Sequence, residues 1–205
     1  MISKALLLRM ESQTDEDTMD TFLDDLAAEV SWERTTQAWF GIRYMRGEFG
    51  VFTVFPDEAA RAAHLQGKSA QKIFSEVHRL VVAEPRVIPM EVLAYKMPPE
   101  LPEDANKGLV LRFKAKAGKE TEIAKLLREA RPWIDEEAGT FVWFAVQYDE
   151  NHYGLFSVFQ DNSQRFAHLT GRLPRELALQ AFTLLGGMPE MHLVDVMTGS
   201  ARRDT

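Results

Sequence analysis

Two kinds of side chain in this sequence suit acid–base chemistry without a metal: the histidines His64 and His168, and the arginines Arg9 and Arg112. Histidine exchanges protons near neutral pH more readily than any other side chain, which makes His64 and His168 candidate general bases. A lone helical histidine serves equally as a packing or capping residue, and the sequence leaves both readings open. Arg9, Thr53 and Glu91 each stand alone among apolar strand neighbours, as do Arg112, Ser157 and Asp195. If their strands are adjacent, arginine, acid and hydroxyl meet on one sheet face. That set is either an ion pair satisfying polar groups between two halves of the chain or an anion-stabilising site in a cavity. Trp39 and Trp143, with Phe40, Phe52, Phe55 and Phe144, Phe156, Phe159, supply large apolar surface for a core or for the wall of an aromatic-ligand pocket.

These residues come in pairs because the chain repeats itself. Trp39-Phe40 recurs at Trp143-Phe144, a spacing of 104 (143 − 39). The same spacing relates Tyr44 to Tyr148, Gly50 to Gly154, Asp57 to Asp161, Arg61 to Arg165 and Ala63-His64-Leu65 to Ala167-His168-Leu169. His78, His152 and His192 have no partner at this spacing and read as surface residues. Between the copies, residues 98–106 carry prolines and acids and read as an extended linker, giving domains 1–97 and 107–205.

Each copy has the pattern strand, helix, strand, strand, helix, strand. Residues 4–11 are apolar and β-friendly. Met19, Phe22, Leu23, Leu26 and Val30 fall at helical spacing over 16–31, echoed by Ile123, Leu126, Leu127 and Ala130. The runs 36–45 and 48–55 flank an Arg46-Gly47 turn and predict a hairpin. Asp57 and Asp161 are the expected N-caps of the second helix, which breaks at Gly67 or Gly171 and resumes through Ile73, Phe74, Val77, Leu80 and Val81. The closing strands are placed at 87–95 and 191–197. A βαββαβ order is ferredoxin-like and covers one sheet face with helices. The expected fold is therefore α+β: tandem ferredoxin-like repeats forming an intramolecular pseudo-dimeric α+β barrel, its halves paired within the chain. Further homodimerisation is left open. In the first strand Leu6, Leu8 and Met10 should pack on the helices, with Leu7 and Arg9 on the other face.

Composition narrows the functions. Thirty-one acidic against 24 basic residues give a net charge of -7, which opposes binding to nucleic acid or anionic lipid. Cysteine is absent, excluding disulfides, thiolate nucleophiles and cysteine-ligated metals, in keeping with a cytoplasmic protein. No apolar run reaches the roughly 18 residues of a membrane span. No metal-binding histidine pair, phosphate-binding glycine loop or G-x-S-x-G elbow occurs, so no cofactor is expected.

The stretch Trp39-Phe40-Gly41-Ile42-Arg43-Tyr44, then Phe49 to Gly67 with Phe55-Pro56-Asp57-Glu58-Ala59-Ala60-Arg61-Ala62-Ala63-His64-Leu65, then Ala83-Glu84-Pro85, resembles the antibiotic-biosynthesis monooxygenase (quinol-monooxygenase-like) family. A weaker copy runs from Phe156 to Leu169. The resemblance implies a dimeric α+β barrel and cofactor-independent oxygenation, in which a small aromatic or quinol-type substrate is deprotonated in a closed pocket and reacts with O2. Under it, His64 or His168 would be the base and Arg9 or Arg112 the anion stabiliser. Trp39 or Trp143 would wall a pocket whose substrate-binding residues include Thr53, Ser157, Glu91 and Asp195. The haem-degrading branch of the superfamily pairs a first-strand asparagine with a tryptophan and a histidine. This first strand has no asparagine and the third strand offers Phe52 and Phe156, so haem degradation is disfavoured. Between the copies Arg43 becomes Gln147, Glu48 becomes His152 and Ala60 becomes Gln164, which suggests that at most one pocket works. The rival function is a non-catalytic small-ligand-binding or structural α+β barrel protein.

Overall fold

The computed structural model describes residues 1–45 and 47–201, with every side chain among them but that of Val77. Arg46, half of the expected hairpin turn, lies outside the described residues. The first copy folds as β1 (Lys4–Glu11), α1 (Glu16–Val30), β2 (Ala38–Arg43), β3 (Glu48–Phe55), α2 (Glu58–Leu65), α3 (Lys68–Leu80) and β4 (Arg86–Lys96). The second follows with β5 (Lys107–Lys114), α4 (Glu120–Glu129), α5 (Arg131–Asp135), β6 (Thr140–Gln147), β7 (His152–Phe159), α6 (Asn162–Leu169), α7 (Arg172–Leu179), α8 (Ala181–Leu184) and β8 (Glu190–Ala201). Among the described residues no helix is long and apolar enough to cross a membrane.

Two compact units result. The first takes Met1–Pro89, Pro99–Leu101 and the chain from Val194; the second takes Met90–Pro98 and Pro102–Leu193. In the first, β3 lies antiparallel between β1 and β2, and β2 pairs on its other edge with β8, Arg43 opposite Asp195. In the second, β7 lies between β5 and β6, and β6 pairs with β4, Glu91 opposite Gln147. Each sheet thus takes its outer strand from the closing strand of the other sequence copy.

Register decides which side chains face the helices. Leu6 lies opposite Thr53 and Thr53 opposite Trp39, while Leu8 lies opposite Val51. Cross-strand partners share a face, so these residues and Met10 point together. They meet Met19, Phe22, Leu23, Leu26 and Val30 of α1 and Ile73 and Leu80 of α3 in one buried cluster, with Leu6 joining Phe55 and Ala60 beside it. In the second unit Trp143, Ala145, Tyr153 and Leu155 pack on Ile123 and Leu127 of α4, Ile134 of α5 and Leu173 and Leu177 of α7. The stripes expected over 16–31 and from Ile123 to Ala130 are these buried faces, except that Leu126 is only partly buried; of the residues expected beyond Gly67, Ile73, Leu80 and Val81 are buried and Phe74 is exposed.

The α2 and α6 helices are placed by the same two devices. Asp57 Oδ1 accepts from the Ala60 N–H and Asp161 Oδ1 from the Gln164 N–H, both at 2.9 Å, closing the first helical turn. Arg61 donates to the carbonyl of Ala5 at 3.3 Å and Arg165 to that of Gly108 at 3.1 Å, tying each helix to its unit's first strand. Asp57→Ala and Asp161→Ala should each cost about 1 kcal/mol of stability. Chemical denaturation of the two variants checks this.

Candidate active site

On α2 and α6 the two repeated histidines are buried, and each has a carboxylate behind it. His64 Nδ1 donates to Glu33 Oε2 at 2.5 Å, and His168 Nδ1 to Glu137 Oε2 at 2.6 Å. An ionised carboxylate only accepts, so Nδ1 carries a hydrogen, and in the neutral ring the lone pair is then on Nε2. The imidazole lies against Phe55 in the first unit and Phe159 in the second, with ring centroids 5.1 Å apart in both.

The carboxylates are held differently. Glu33 accepts from Thr36 Oγ1 at 3.1 Å and from the Ser69 hydroxyl. Burial alone would raise its carboxyl, but the hydrogen bonds from His64, Ser69 and Thr36 outweigh it and hold it below the ordinary value. Glu137 accepts from Thr140 Oγ1 at 2.8 Å, and Leu173 occupies the place equivalent to Ser69. What replaces the serine is Lys96 of β4, whose Nζ donates to the backbone carbonyls of Ile134 at 2.9 Å and Glu137 at 2.7 Å. Burial pushes the Lys96 ammonium below its usual range, while the charges of Asp135 and Glu137 pull it back. The equivalent place in the first unit holds Ser200, opposite Trp39.

Gly67 and Gly171 make room for these pairs where the helices break. A Cβ at Gly171 would lie 2.6 Å from Glu137 Oε1 and 2.9 Å from the His168 carbonyl; at Gly67 the corresponding gaps to Glu33 and His64 are 3.2 and 3.1 Å. The break anticipated from the glycines is therefore also the space into which the carboxylate reaches. At each pair a surface cleft of about 350 Å³ opens, lined by His168, Glu137, Trp133, Gln164 and Arg172 in the second unit and by His64, Glu33, Trp32, Thr35 and Lys68 in the first. Both members of each pair thus border the cleft, the carboxylate more exposed than the imidazole.

The expected grouping of arginine, acid and hydroxyl is not formed. Thr53 and Ser157 point to the helices, opposite Trp39 and Trp143, and Thr53 shares with His64 a void of about 20 Å³ that Leu65 and Phe74 cover. Arg9 is opposite Gly50 on the other face, because side chains alternate and the register puts Leu6 and Leu8, not Arg9, in phase with Thr53. It binds Glu48 at 2.6 Å and lies 4.5 Å over the Tyr44 ring, at the edge of a groove of about 460 Å³ that also holds Arg86. Arg112 lies 5.3 Å over Tyr148, and its Nε is buried without a partner, His152 standing where the first copy has Glu48. Asp195 takes a hydrogen bond from Arg43 at 3.3 Å, and exposed Glu91 opposes Gln147. Trp39 and Trp143 are fully buried between sheet and helices. So His, Trp and the strand hydroxyl share the helix-facing side in each unit, Arg9 and Arg112 are on the other face, and Asp195 and Glu91 lie opposite Arg43 and Gln147, the last residues of β2 and β6.

Three polar atoms on that side of the second unit are buried with no hydrogen-bond partner: Trp143 Nε1, Ser157 Oγ and His168 Nε2. Glu33, Glu137, Thr36, Thr140 and Lys96 were not anticipated from the sequence. Glu33 and Glu137, like Thr36 and Thr140, keep the 104-residue spacing, and each carboxylate precedes its histidine by 31 residues. Among the described residues no three His, Asp or Glu side chains gather to hold a metal ion.

No protein-family model and no curated protein matches the chain. Solved structures do. A candidate monooxygenase from Fusobacterium nucleatum is 14% identical, covering 98% of this chain and 94% of its own, with a TM-score of 0.86. One from Lactobacillus acidophilus is 10% identical, covering 98% and 97%, with a TM-score of 0.83. A ferredoxin-fold protein from Listeria monocytogenes, related to antibiotic-biosynthesis monooxygenases, is 8% identical over 96% and 95%, with a TM-score of 0.57. What these likenesses show is the fold: the chain has a ferredoxin-type α+β architecture, with both copies in one chain.

Gly171→Ala should destabilise by about 1–3 kcal/mol and displace Glu137 from His168, with a smaller effect for Gly67→Ala; paired thermal melts and the His168 Nδ1–H resonance report both. The Glu33 carboxyl is depressed in the folded state, so its stabilisation is complete above its ordinary value of 4.5 and drains as the pH falls through the folded value. Melting temperature followed from about pH 6 down to about pH 3 should show this slope, and Glu33→Gln should flatten it.

Proposed function

We propose that the protein is a cofactor-independent monooxygenase of a small aromatic or quinol-type substrate, and that a carboxylate-oriented histidine, His168 or His64, is its base. The observation that carries this reading is His168: an imidazole 1% exposed, fixed through Nδ1 by Glu137, with Nε2 unpartnered, as are the buried Trp143 Nε1 and Ser157 Oγ of the same unit. A group buried without a partner costs about 1–3 kcal/mol, a cost recovered when a hydroxyl donates to it. The likeness of fold to candidate monooxygenases supports the same reading.

The chemistry follows from the tautomer. Nε2 takes the phenolic proton, Glu137 stabilises the imidazolium, and the substrate becomes an electron-rich anion. Its ring carbon adds to O2, the peroxide anion takes the proton back from the imidazolium, and the hydroperoxide loses water, made of its outer OH and the hydrogen on that carbon, to leave a carbonyl. One oxygen atom stays in the product and the other leaves as water. The protein supplies a base, orientation and exclusion of bulk water. Arg9 and Arg112 have no part in this scheme, because Arg9 is on the opposite sheet face and Arg112 occupies the equivalent place.

Space sets a condition on turnover. The void beside His64 holds about one water molecule, far below the roughly 300 Å³ of a small-molecule pocket. A substrate approaching Nε2 from this side needs the covering side chains to move, whereas the clefts of about 350 Å³ reach the other side of each histidine. In the first unit the half-exposed Leu65 and Phe74 would swing out; in the second, exposed Ala178 stands where the first has Phe74.

Oxygen uptake with a panel of quinols and anthrones tests the proposal. Uptake should exceed the uncatalysed rate and fall about 10²–10⁴-fold in His168→Gln or His64→Gln, whichever marks the working unit. Uptake unchanged in the double variant would refute the base.

A further inference from the structure

The unpartnered atoms of the second unit say more than that His168 is a base. Trp143 lies directly opposite Ser157 in the β6–β7 ladder, so their side chains share the helix-facing side. Ser157 and Phe159 are successive residues on that face of β7, and the His168 ring lies against Phe159. The equivalents of Ser157 and His168 in the first unit, Thr53 and His64, line one void, and Trp39 is the ladder partner of that Thr53. Trp143, Ser157 and His168 are each at most 1% exposed. Their three orphaned atoms comprise a fixed N–H donor, a hydroxyl able to donate and, given the Nδ1–H tautomer, a ring nitrogen able to accept.

No polar atom of Trp39, Thr53 or His64 is left orphaned in this way among the described residues. Threonine adds a methyl where the second unit has serine, and Phe74 adds a ring where it has Ala178. Buried polar groups are nearly always paired, and three unpaired ones on one face of one unit call for a shared partner.

We infer that the second unit alone carries an oxyanion-binding site, in which Trp143 Nε1–H and Ser157 Oγ–H hold the ionised hydroxyl of a phenol-class ligand after its proton has passed to His168 Nε2. The inference rests on the monooxygenase reading only for His168 as proton acceptor. No bond other than O–H breaks in this step: the phenol loses a proton, the imidazole gains it, and the resulting phenolate faces the two donors and the imidazolium. Such donors strengthen as negative charge develops, and they do so most where water is excluded. Arg112, the anion stabiliser expected from the sequence, is not required.

The test is an anaerobic titration of the full chain with 4-nitrophenol, below the pH at which the free probe ionises, following the visible absorbance of the phenolate. One equivalent per chain should bind and ionise. Trp143→Phe and Ser157→Ala should each weaken binding by roughly tenfold or more. His168→Gln should abolish the phenolate signal. The Trp143 indole N–H resonance should move on addition of probe, a readout that remains if a variant folds poorly. Two equivalents per chain, no phenolate signal, or equal binding by wild type, Trp143→Phe and Ser157→Ala would each overturn the site. The outcomes separate the two proposals: ionisation of the probe without oxygen uptake on any quinol refutes the monooxygenase and upholds the site, whereas His168-dependent uptake with unaltered probe binding in both donor variants does the reverse.

Discussion

The hydrogen bond between a loop carboxylate and a helical histidine, Glu33 with His64 and Glu137 with His168, is the contact on which the arrangement of each unit's site depends. It joins the segment leading into the second strand to the helix that follows the third. That helix is also fixed at its start by an aspartate cap and to the sheet by Arg61 or Arg165. A buried imidazole held from behind can present only one nitrogen forward. The hydrogen on Nδ1 and the direction of Nε2 both follow from one short bond, and the glycine at the helix break leaves the carboxylate room to make it.

The two units reach the same bond by unlike routes. Glu33 is gripped through its side chain by two hydroxyls; Glu137 has one, and its backbone is secured by an ammonium group from β4. Lysine can satisfy two carbonyls at once, so the loss of a serine to Leu173 adds an apolar residue to the core under α7 while the carboxylate stays in place. This drift at the supports, with the pair itself retained, is expected if the pair has a purpose beyond packing. It also explains how the polar atoms of the second unit can differ from those of the first on a common backbone plan.

Much of the fold was legible because its determinants are local: the helical stripes, the hairpin runs, the caps at Asp57 and Asp161 and the breaks at Gly67 and Gly171 each follow from a few neighbouring residues. His64, His168, Trp39, Trp143, Thr53 and Ser157 could be singled out from their repetition. Their grouping could not. Period-two alternation tells which residues of one strand share a face, but the phase between strands depends on register, and assigning Thr53 to the side of Arg9 was an error of phase. Glu33 and Glu137 were passed over because a single acid in a loop is common, although their repeat spacing marked them. Lys96 was illegible in principle, since its partners lie in the other sequence copy and only strand pairing brings them to it.

That pairing also bears on the order of synthesis. The outer strand of the first sheet is β8, and Arg43 of β2 meets Asp195 across a separation of 152 residues. While the first hundred residues emerge from a ribosome, β2 has an open edge and no mate, and nothing in the neighbouring chain can close it. The first unit, started earliest, is finished only after the second has been made almost entirely. Closing so long a loop costs little more free energy than closing one half its length, but it is slow, and the exposed edge must be shielded in the interval.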